Sequence, residues 1–237
     1  DRLAEAYAAE RRITADAAHA LRTPLAVLSL RLQRARHRGT IDWPAIENEL
    51  AQITAMVSQL LDLARKEAQP RRDDIAAMPV VNVSRLVREA AAGVVLLMEH
   101  QGRALEIDAP EVVVVHGQAD DLRDLVRNLL ENALWHGRGT VRIGVRRNDL
   151  NRGRVMLDVI DEGDGVPLGM EEEAFARFHK IHANSPGSGL GLAIVRHVAR
   201  SHGGDARFVS GAGHVVVTLP AADAAVASTP AAVDAVP

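Results

Sequence analysis

Four groups of residues in this chain have the types and spacings that chemistry needs. The first is the run Thr14-Ala-Asp16-Ala-Ala-His19-Ala20-Leu21-Arg22-Thr23-Pro24-Leu25-Ala-Val-Leu28. His19 supplies an imidazole with an unperturbed pKa of about 6.5, so above neutral pH most of it carries a free lone pair and is a nucleophile. The second is Asn128-Leu-Leu-Glu-Asn132-Ala, two carboxamides one helical turn apart. Their oxygens suit Mg²⁺, a hard cation bound together with substrate phosphates. The third, Asp161-Glu-Gly163-Asp-Gly165, ends an apolar run. A carboxylate there accepts a hydrogen bond from an exocyclic amine, and the flanking glycines let a planar base approach the backbone. The fourth, Gly187-Ser-Gly189-Leu-Gly191-Leu192, opens an apolar helical pattern. Backbone N–H groups converge on phosphates at such a place. Its spacing is neither Gly-x-Gly-x-x-Gly nor a Walker A loop with its lysine. Taken singly, each group also has a plainer explanation: a solvated histidine, a solvated asparagine pair, a strand-ending turn, a flexible linker.

The elements that must position these groups follow from periodicity. From Asp1 to about Arg38 the chain reads as helix, with Leu21, Leu25, Leu28, Leu32 and Ala35 stepping by four and three as a helix–helix seam does. At ~100° per residue His19 lies about 180° around from Leu28 and about 200° from Leu21, so the seam faces inward and the imidazole faces solvent. Thr23 stands one turn on, on the face of His19. Pro24 removes one backbone donor and is expected to interrupt and bend the helix. Gly39 to Pro44 is a turn, with Asp42 as cap and Pro44 in the first turn of a second helix carrying Ile46, Leu50, Ile53, Val57, Leu60 and Ala64. Two antiparallel helices cannot bury two such stripes alone, which predicts a homodimer closing a four-helix bundle.

Residues 70–79 read as a linker, and a different composition follows. Val80 to Val83 reads as a strand and Ser84 as the cap of a helix reaching Met98. Ala104 to Asp108 and Val112 to Val115 read as strands, and Asp120 to His136 as an amphipathic helix. Val141 to Arg146 and Val155 to Ile160 read as strands, Glu171 to Phe178 as a short helix, Leu190 to Ser201 as a helix, and Ala206 to Val209 with Val215 to Leu219 as a hairpin. The expected architecture is α plus α/β: residues 1–69 a helical hairpin, 80–220 an α/β sandwich, and 221–237 a disordered tail.

Composition narrows the function classes. With no cysteine there is no disulfide framework or thiolate metal site. A net charge of −3 gives no electrostatic case for nucleic acid. No apolar run is long enough to cross a bilayer. Aromatics are 3% of residues, so the cores must be built from Leu, Val, Ile and Ala.

Taken in order, the four groups resemble the motifs of sensor histidine kinases. His19, Leu21, Arg22, Thr23, Pro24 and Leu25 match the phosphoacceptor box His-Glu-Leu-Arg-Thr-Pro-Leu, with Ala20 in place of the acidic residue. Asn128 and Asn132 match the asparagine box, and Asp161 to Gly165 the first glycine box. Phe175-Ala-Arg-Phe178 matches the phenylalanine box, and Gly187 to Leu192 the second glycine box. The resemblance implies a dimerisation and phosphotransfer domain followed by the Bergerat (GHKL) ATP-binding fold. It implies autophosphorylation of His19 from ATP and transfer to an aspartate of a response-regulator receiver domain, with phosphatase activity toward that regulator through Thr23.

On the same grounds Asn128 and Asn132 hold Mg²⁺, and Asp161 reads the adenine amine in a pocket shaped by Gly163 and Gly165. Gly187, Gly189, Gly191 and Leu192 line the phosphates. Val166 to Pro186 forms a lid with Arg177 and Lys180 as phosphate contacts. Two departures stand out. Ala20 cannot act as a base, a role for which Asp16 is the substitute, and Trp135 stands where the family often has a phosphate-reaching lysine. They keep open a kinase-poor, nucleotide-binding scaffold or phosphatase, and another ATPase of the same fold. The chain is expected to be the cytoplasmic portion of a bacterial inner-membrane sensor, touching the membrane only through a part not contained here.

Overall fold

The computed structural model describes residues 21–37, 39–68, 74–110, 112–148, 153–181, 187–209 and 211–222. His19 and Asp16 lie outside them. The chain divides into two compact units, one comprising Asp1–Arg71 with Ala176–Ala193, the other Arg72–Phe175 with Ile194–Pro237.

In the first unit, helix α1 (residues 21–37) continues through Pro24, because proline removes one ladder donor and the following residues keep theirs. It ends at Gly39, whose φ of 69° is a left-handed stop and whose N–H returns to the Ala35 carbonyl at 2.9 Å. Asp42 caps α2 (Trp43–Ala68) as expected, its Oδ1 accepting from the Ala45 N–H at 3.1 Å. Arg31 meets Glu49 at 3.8 Å, each six residues from the connection, so the helices run antiparallel.

The stripes differ from the sequence expectation. The more shielded row on α2 is Ile46, Glu49, Ile53, Met56, Leu60 and Leu63, with Leu63 only 1% exposed. Leu25, Leu32 and Leu50, which were expected in the seam, are 48%, 49% and 55% exposed in the single chain. Each helix therefore carries two adjoining apolar rows, one turned to its hairpin partner and one left outside it.

In the second unit, β1 (Val80–Asn82) pairs antiparallel with β3 (Val114–His116). A five-stranded sheet has the order β2-β4-β5-β7-β6, comprising β2 (Leu105–Asp108), β4 (Val141–Arg147), β5 (Arg154–Asp161), β6 (Asp205–Phe208) and β7 (Gly213–Pro220). The β2–β4 pair is parallel and the others antiparallel. Alternation buries Val141, Ile143 and Val145 of β4 and Val155, Leu157 and Val159 of β5 beneath α3 (Val83–His100) and α4 (Ala119–His136). Helix α5 (Gly191–Ser201) adds Ile194, Val195, Val198 and Ala199 to the buried set. The result is an α/β sandwich.

Several local expectations change. Helix α3 is capped by Asn82, whose side chain accepts from the Arg85 N–H at 3.1 Å, while Ser84 is fully buried two residues too late for that role. The helix expected at Glu171–Phe178 is only a 3₁₀ turn at Glu173–Phe175. There Phe175 is committed to the Phe208 ring (centroids 5.4 Å apart) and the Arg196 guanidinium (5.0 Å), and the chain turns away. Residues 75–79 are not a free linker, since Met78 is buried and Pro79 accepts from the Gly117 N–H at 2.9 Å. Ala221 bridges Val115, and the Ala222 N–H reaches the Val114 carbonyl at 3.0 Å, so pairing passes the expected start of the tail; 223–237 lie outside the described residues.

Candidate functional site

On α4 the buried Asn128 donates from Nδ2 to the Asp124 carbonyl at 2.8 Å, a bond that does not engage its Oδ1 acceptor. Asn132 lies one turn on and half-buried, and Trp135 follows on the same stripe with half its surface exposed. Beside them Glu131 has its carboxyl pushed above the ordinary range. Burial penalises its charge and Asp124 adds to this, against the opposing pull of Arg127.

At the end of β5, Asp161 sits in a cradle that only glycine allows. Its Oδ1 accepts from the Gly163 N–H at 2.7 Å and the Arg138 N–H at 3.2 Å. A Cβ on Gly137 would lie 2.6 Å from the Asp161 carboxyl carbon, and one on Gly213 would lie 2.6 Å from Oδ1. The Glu162 N–H closes this corner on the Arg138 carbonyl at 2.9 Å. Among the described residues Oδ2 accepts no hydrogen bond, so a half-buried carboxylate has one oxygen fixed and one available. That fits a ligand offering an N–H donor. Gly165 has a φ of 68°, with the Ala212 carbonyl oxygen 2.2 Å from where a Cβ would be, so it too must be glycine.

In the first unit, Gly187 and Gly189 have φ of 94° and 73°. Ser188 Oγ accepts from the Leu190 N–H at 3.1 Å just before α5 begins at Gly191, and Leu192 is half-buried in its first turn. The Phe178 N–H donates to the Gly189 carbonyl at 2.9 Å. Arg177, expected as a phosphate cation, is paired here with Glu67 of α2, and Ser188 donates to Gln59 of α2. Neither α2 residue was expected from sequence. Lys180 is half-buried, and of the expected lid residues 182–186 are outside the described ones.

On α1, Arg22 and Thr23 are exposed. Three other histidines have structural roles. His202, 1% exposed, accepts from the Gln118 N–H at 3.1 Å and donates from Nδ1 to the Val198 carbonyl at 2.8 Å. His116 meets the Met78 carbonyl and His214 the Asp158 carboxylate, both at 3.0 Å.

Residues 9–69 match the family model described as "His Kinase A (phospho-acceptor) domain". Residues 117–223 match "Histidine kinase-, DNA gyrase B-, and HSP90-like ATPase". The "Probable sensor histidine kinase TcrY" of Mycobacterium tuberculosis is 35% identical over 225 residues, covering 89% of this chain and 46% of that protein. The "Signal transduction histidine-protein kinase/phosphatase MprB" of Mycolicibacterium smegmatis is 32% identical over 226 residues, covering 86% and 43%. This chain thus spans less than half the length of these curated relatives. A solved structure of a mycobacterial sensor histidine kinase MprB superposes with a TM-score of 0.52 at 28% identity, covering 61% of this chain and 98% of that one.

Proposed function

We propose, since the chain belongs to the sensor histidine kinase family, that it autophosphorylates His19 from ATP and passes the phosphoryl group to an aspartate of a response-regulator receiver domain. The observation that carries this reading is the Asp161 cradle, an adenine-amine acceptor with one free oxygen, on the same chain as a phosphoacceptor module spanning residues 9–69. We assign residues 1–69 to dimerisation and phosphotransfer, and 80–220 to nucleotide binding.

Asp161 Oδ2 accepts the exocyclic amine of the base, and Gly163 and Gly165 keep the backbone close to it. Gly187, Gly189, Gly191 and Leu192 offer N–H groups to the phosphates at the start of α5. Lys180 and a released Arg177 add positive charge. Mg²⁺ held by the Asn128 and Asn132 oxygens would neutralise phosphate charge. A neutral nitrogen of His19 attacks the γ-phosphorus, forming a P–N bond as the bond to the ADP oxygen breaks. The ring's other N–H proton is lost to Asp16 or to water, since Ala20 cannot take it. A missing general base slows such a step by about 10²–10⁴-fold without forbidding it. Thr23, exposed one turn beyond, orients water for dephosphorylation of the regulator.

The exposed row of Leu25, Leu32 and Leu50 supports a homodimer closing a four-helix bundle. No helix among the described residues is long and apolar enough to cross a membrane. We place the chain on the cytoplasmic side of a membrane sensor whose remaining length lies outside this sequence. The test is incubation with Mg²⁺ and ATP labelled with ³²P at the γ position. Wild type is expected to take up acid-labile, base-stable label and His19→Gln none, whereas label on His19→Gln at the wild-type level refutes the assignment.

A further inference from the structure

The loop running from Phe178 to Gly189 is closed at its neck. The Phe178 N–H donates to the Gly189 carbonyl, and Phe178 itself takes a φ of 58°, a left-handed conformation costly for a bulky residue. A Cβ on Gly189 would lie 2.8 Å from the Phe178 carbonyl carbon, so the two sides of the neck touch only because residue 189 is glycine. Two residues flanking this closure both reach α2, Arg177 just outside it through its ion pair with Glu67 and Ser188 just inside it through its hydroxyl to Gln59. Gln59, Leu63 and Glu67 step by four and form one row on α2, with the buried Leu63 between the two polar residues. The neck is thus gripped at two points along two turns of one helix.

We propose that Gln59 and Glu67 form a latch on the nucleotide loop, and that nucleotide phosphates compete with Glu67 for the Arg177 guanidinium, so that nucleotide binding releases α2. This rests on the nucleotide reading above. A guanidinium satisfied by one carboxylate is not free for phosphate, and a phosphate brings more charge and more acceptor oxygens than Glu67 does. The coupling is reciprocal: whatever weakens the Glu67 contact tightens nucleotide binding, and nucleotide loosens the helix that carries Glu67. Gln59 acts on the same neck through Ser188, whose hydroxyl donates to Gln59 while its oxygen accepts from the Leu190 N–H.

The experiment measures binding of Mg²⁺ and the non-hydrolysable analogue AMP-PNP to the 237-residue chain by calorimetry, together with amide hydrogen exchange across residues 59–67. Glu67→Gln keeps helix propensity and side-chain shape while removing the charge. It is expected to bind AMP-PNP about fivefold or more tighter than wild type, and Gln59→Met should shift affinity in the same direction by less. AMP-PNP should speed exchange across residues 59–67 in wild type, whereas Glu67→Gln should show that faster exchange without ligand. Equal affinity of wild type and Glu67→Gln, both measurable, overturns the latch and leaves the nucleotide reading in place. Unchanged exchange in wild type at saturating AMP-PNP likewise overturns the latch. Absence of binding by either protein overturns both.

Discussion

Replacing Asp161 with asparagine changes one atom of the cradle and reverses what it offers to a ligand. The Gly163 and Arg138 N–H groups, at 2.7 and 3.2 Å, both need an acceptor, so the amide must turn its remaining oxygen toward them. The NH₂ group then takes the place of Oδ2, and a donor meets the donor amine of adenine. A hydrogen bond to a charged group is worth about 1.5–3 kcal/mol. At about 1.4 kcal/mol per factor of ten, Asp161→Asn should weaken ADP binding by roughly 10- to 150-fold. Inosine diphosphate carries a carbonyl where adenine carries its amine, so the same variant should bind it better than wild type does. The assay is calorimetric titration of both proteins with ADP and IDP in Mg²⁺, with urea unfolding to confirm that the variant is folded. If Asp161→Asn binds ADP as wild type does, or loses ADP and IDP in equal measure, Oδ2 is not the atom that reads the base.

Three further outcomes follow from particular contacts. Partial burial works against the charge of Asp205, but hydrogen bonds from Arg200, Arg196 and the Ala206 N–H outweigh it and hold its pKa at about 2, below its ordinary value of 3.8. The stability it adds is therefore present above about pH 4 and lost as pH falls through about 2. The unfolding free energy of Asp205→Asn from urea titration should lie below that of wild type at pH 7, by less than about 1 kcal/mol because the pair is half-exposed, and the gap should close toward pH 2. Leu32→Glu together with Leu50→Glu places charge on the outward apolar row, where burying each leucine is worth about 1.5–3 kcal/mol; sedimentation should show monomer where wild type is dimer. A Cβ at Gly204 would lie 1.8 Å from the Thr218 carbonyl oxygen, backbone that cannot swing aside, so Gly204→Ala should cost at least about 2 kcal/mol in thermal unfolding.

What could be read in advance was whatever local spacing determines. The period of Leu122, Leu125, Leu129 and Ala133 fixes which side of α4 is buried, and with it the stripe left to Asn128 and Asn132. The alternation in Val155, Leu157 and Val159 fixes β5, so Asp161 had to stand at a strand end. The glycines around Asp161 were legible only in part. Gly163 and Gly165 are its sequence neighbours, whereas Gly137 and Gly213 reach the same carboxylate from another helix end and another strand. Capping was misassigned because Asn82 and Ser84 are both cap formers two residues apart, and only the backbone shows which one meets the Arg85 N–H.

The rows on the hairpin show why the remainder was hidden. Sequence period places Leu25 and Leu28 on one broad stripe without saying that the stripe faces two different partners. Leu28 is half-buried within the hairpin while Leu25 stays outside it, and Leu60 and Leu50 divide the same way on α2. A stripe wider than one neighbour can cover is what a four-helix arrangement requires and a hairpin alone does not. The grip on the neck of the Phe178–Gly189 loop lies further still from local pattern. Gln59 and Ser188 are separated by 129 residues, and Glu67 and Arg177 by 110. On α2, Glu67 and Gln59 look like any polar residues of an exposed helix, and their spacing of eight acquires meaning only when the neck of the loop lies across them. A residue that sequence reading assigns to the phosphate, Arg177, is held by a carboxylate of the phosphoacceptor hairpin. Under the proposed latch, nucleotide phosphate and α2 compete for that one guanidinium.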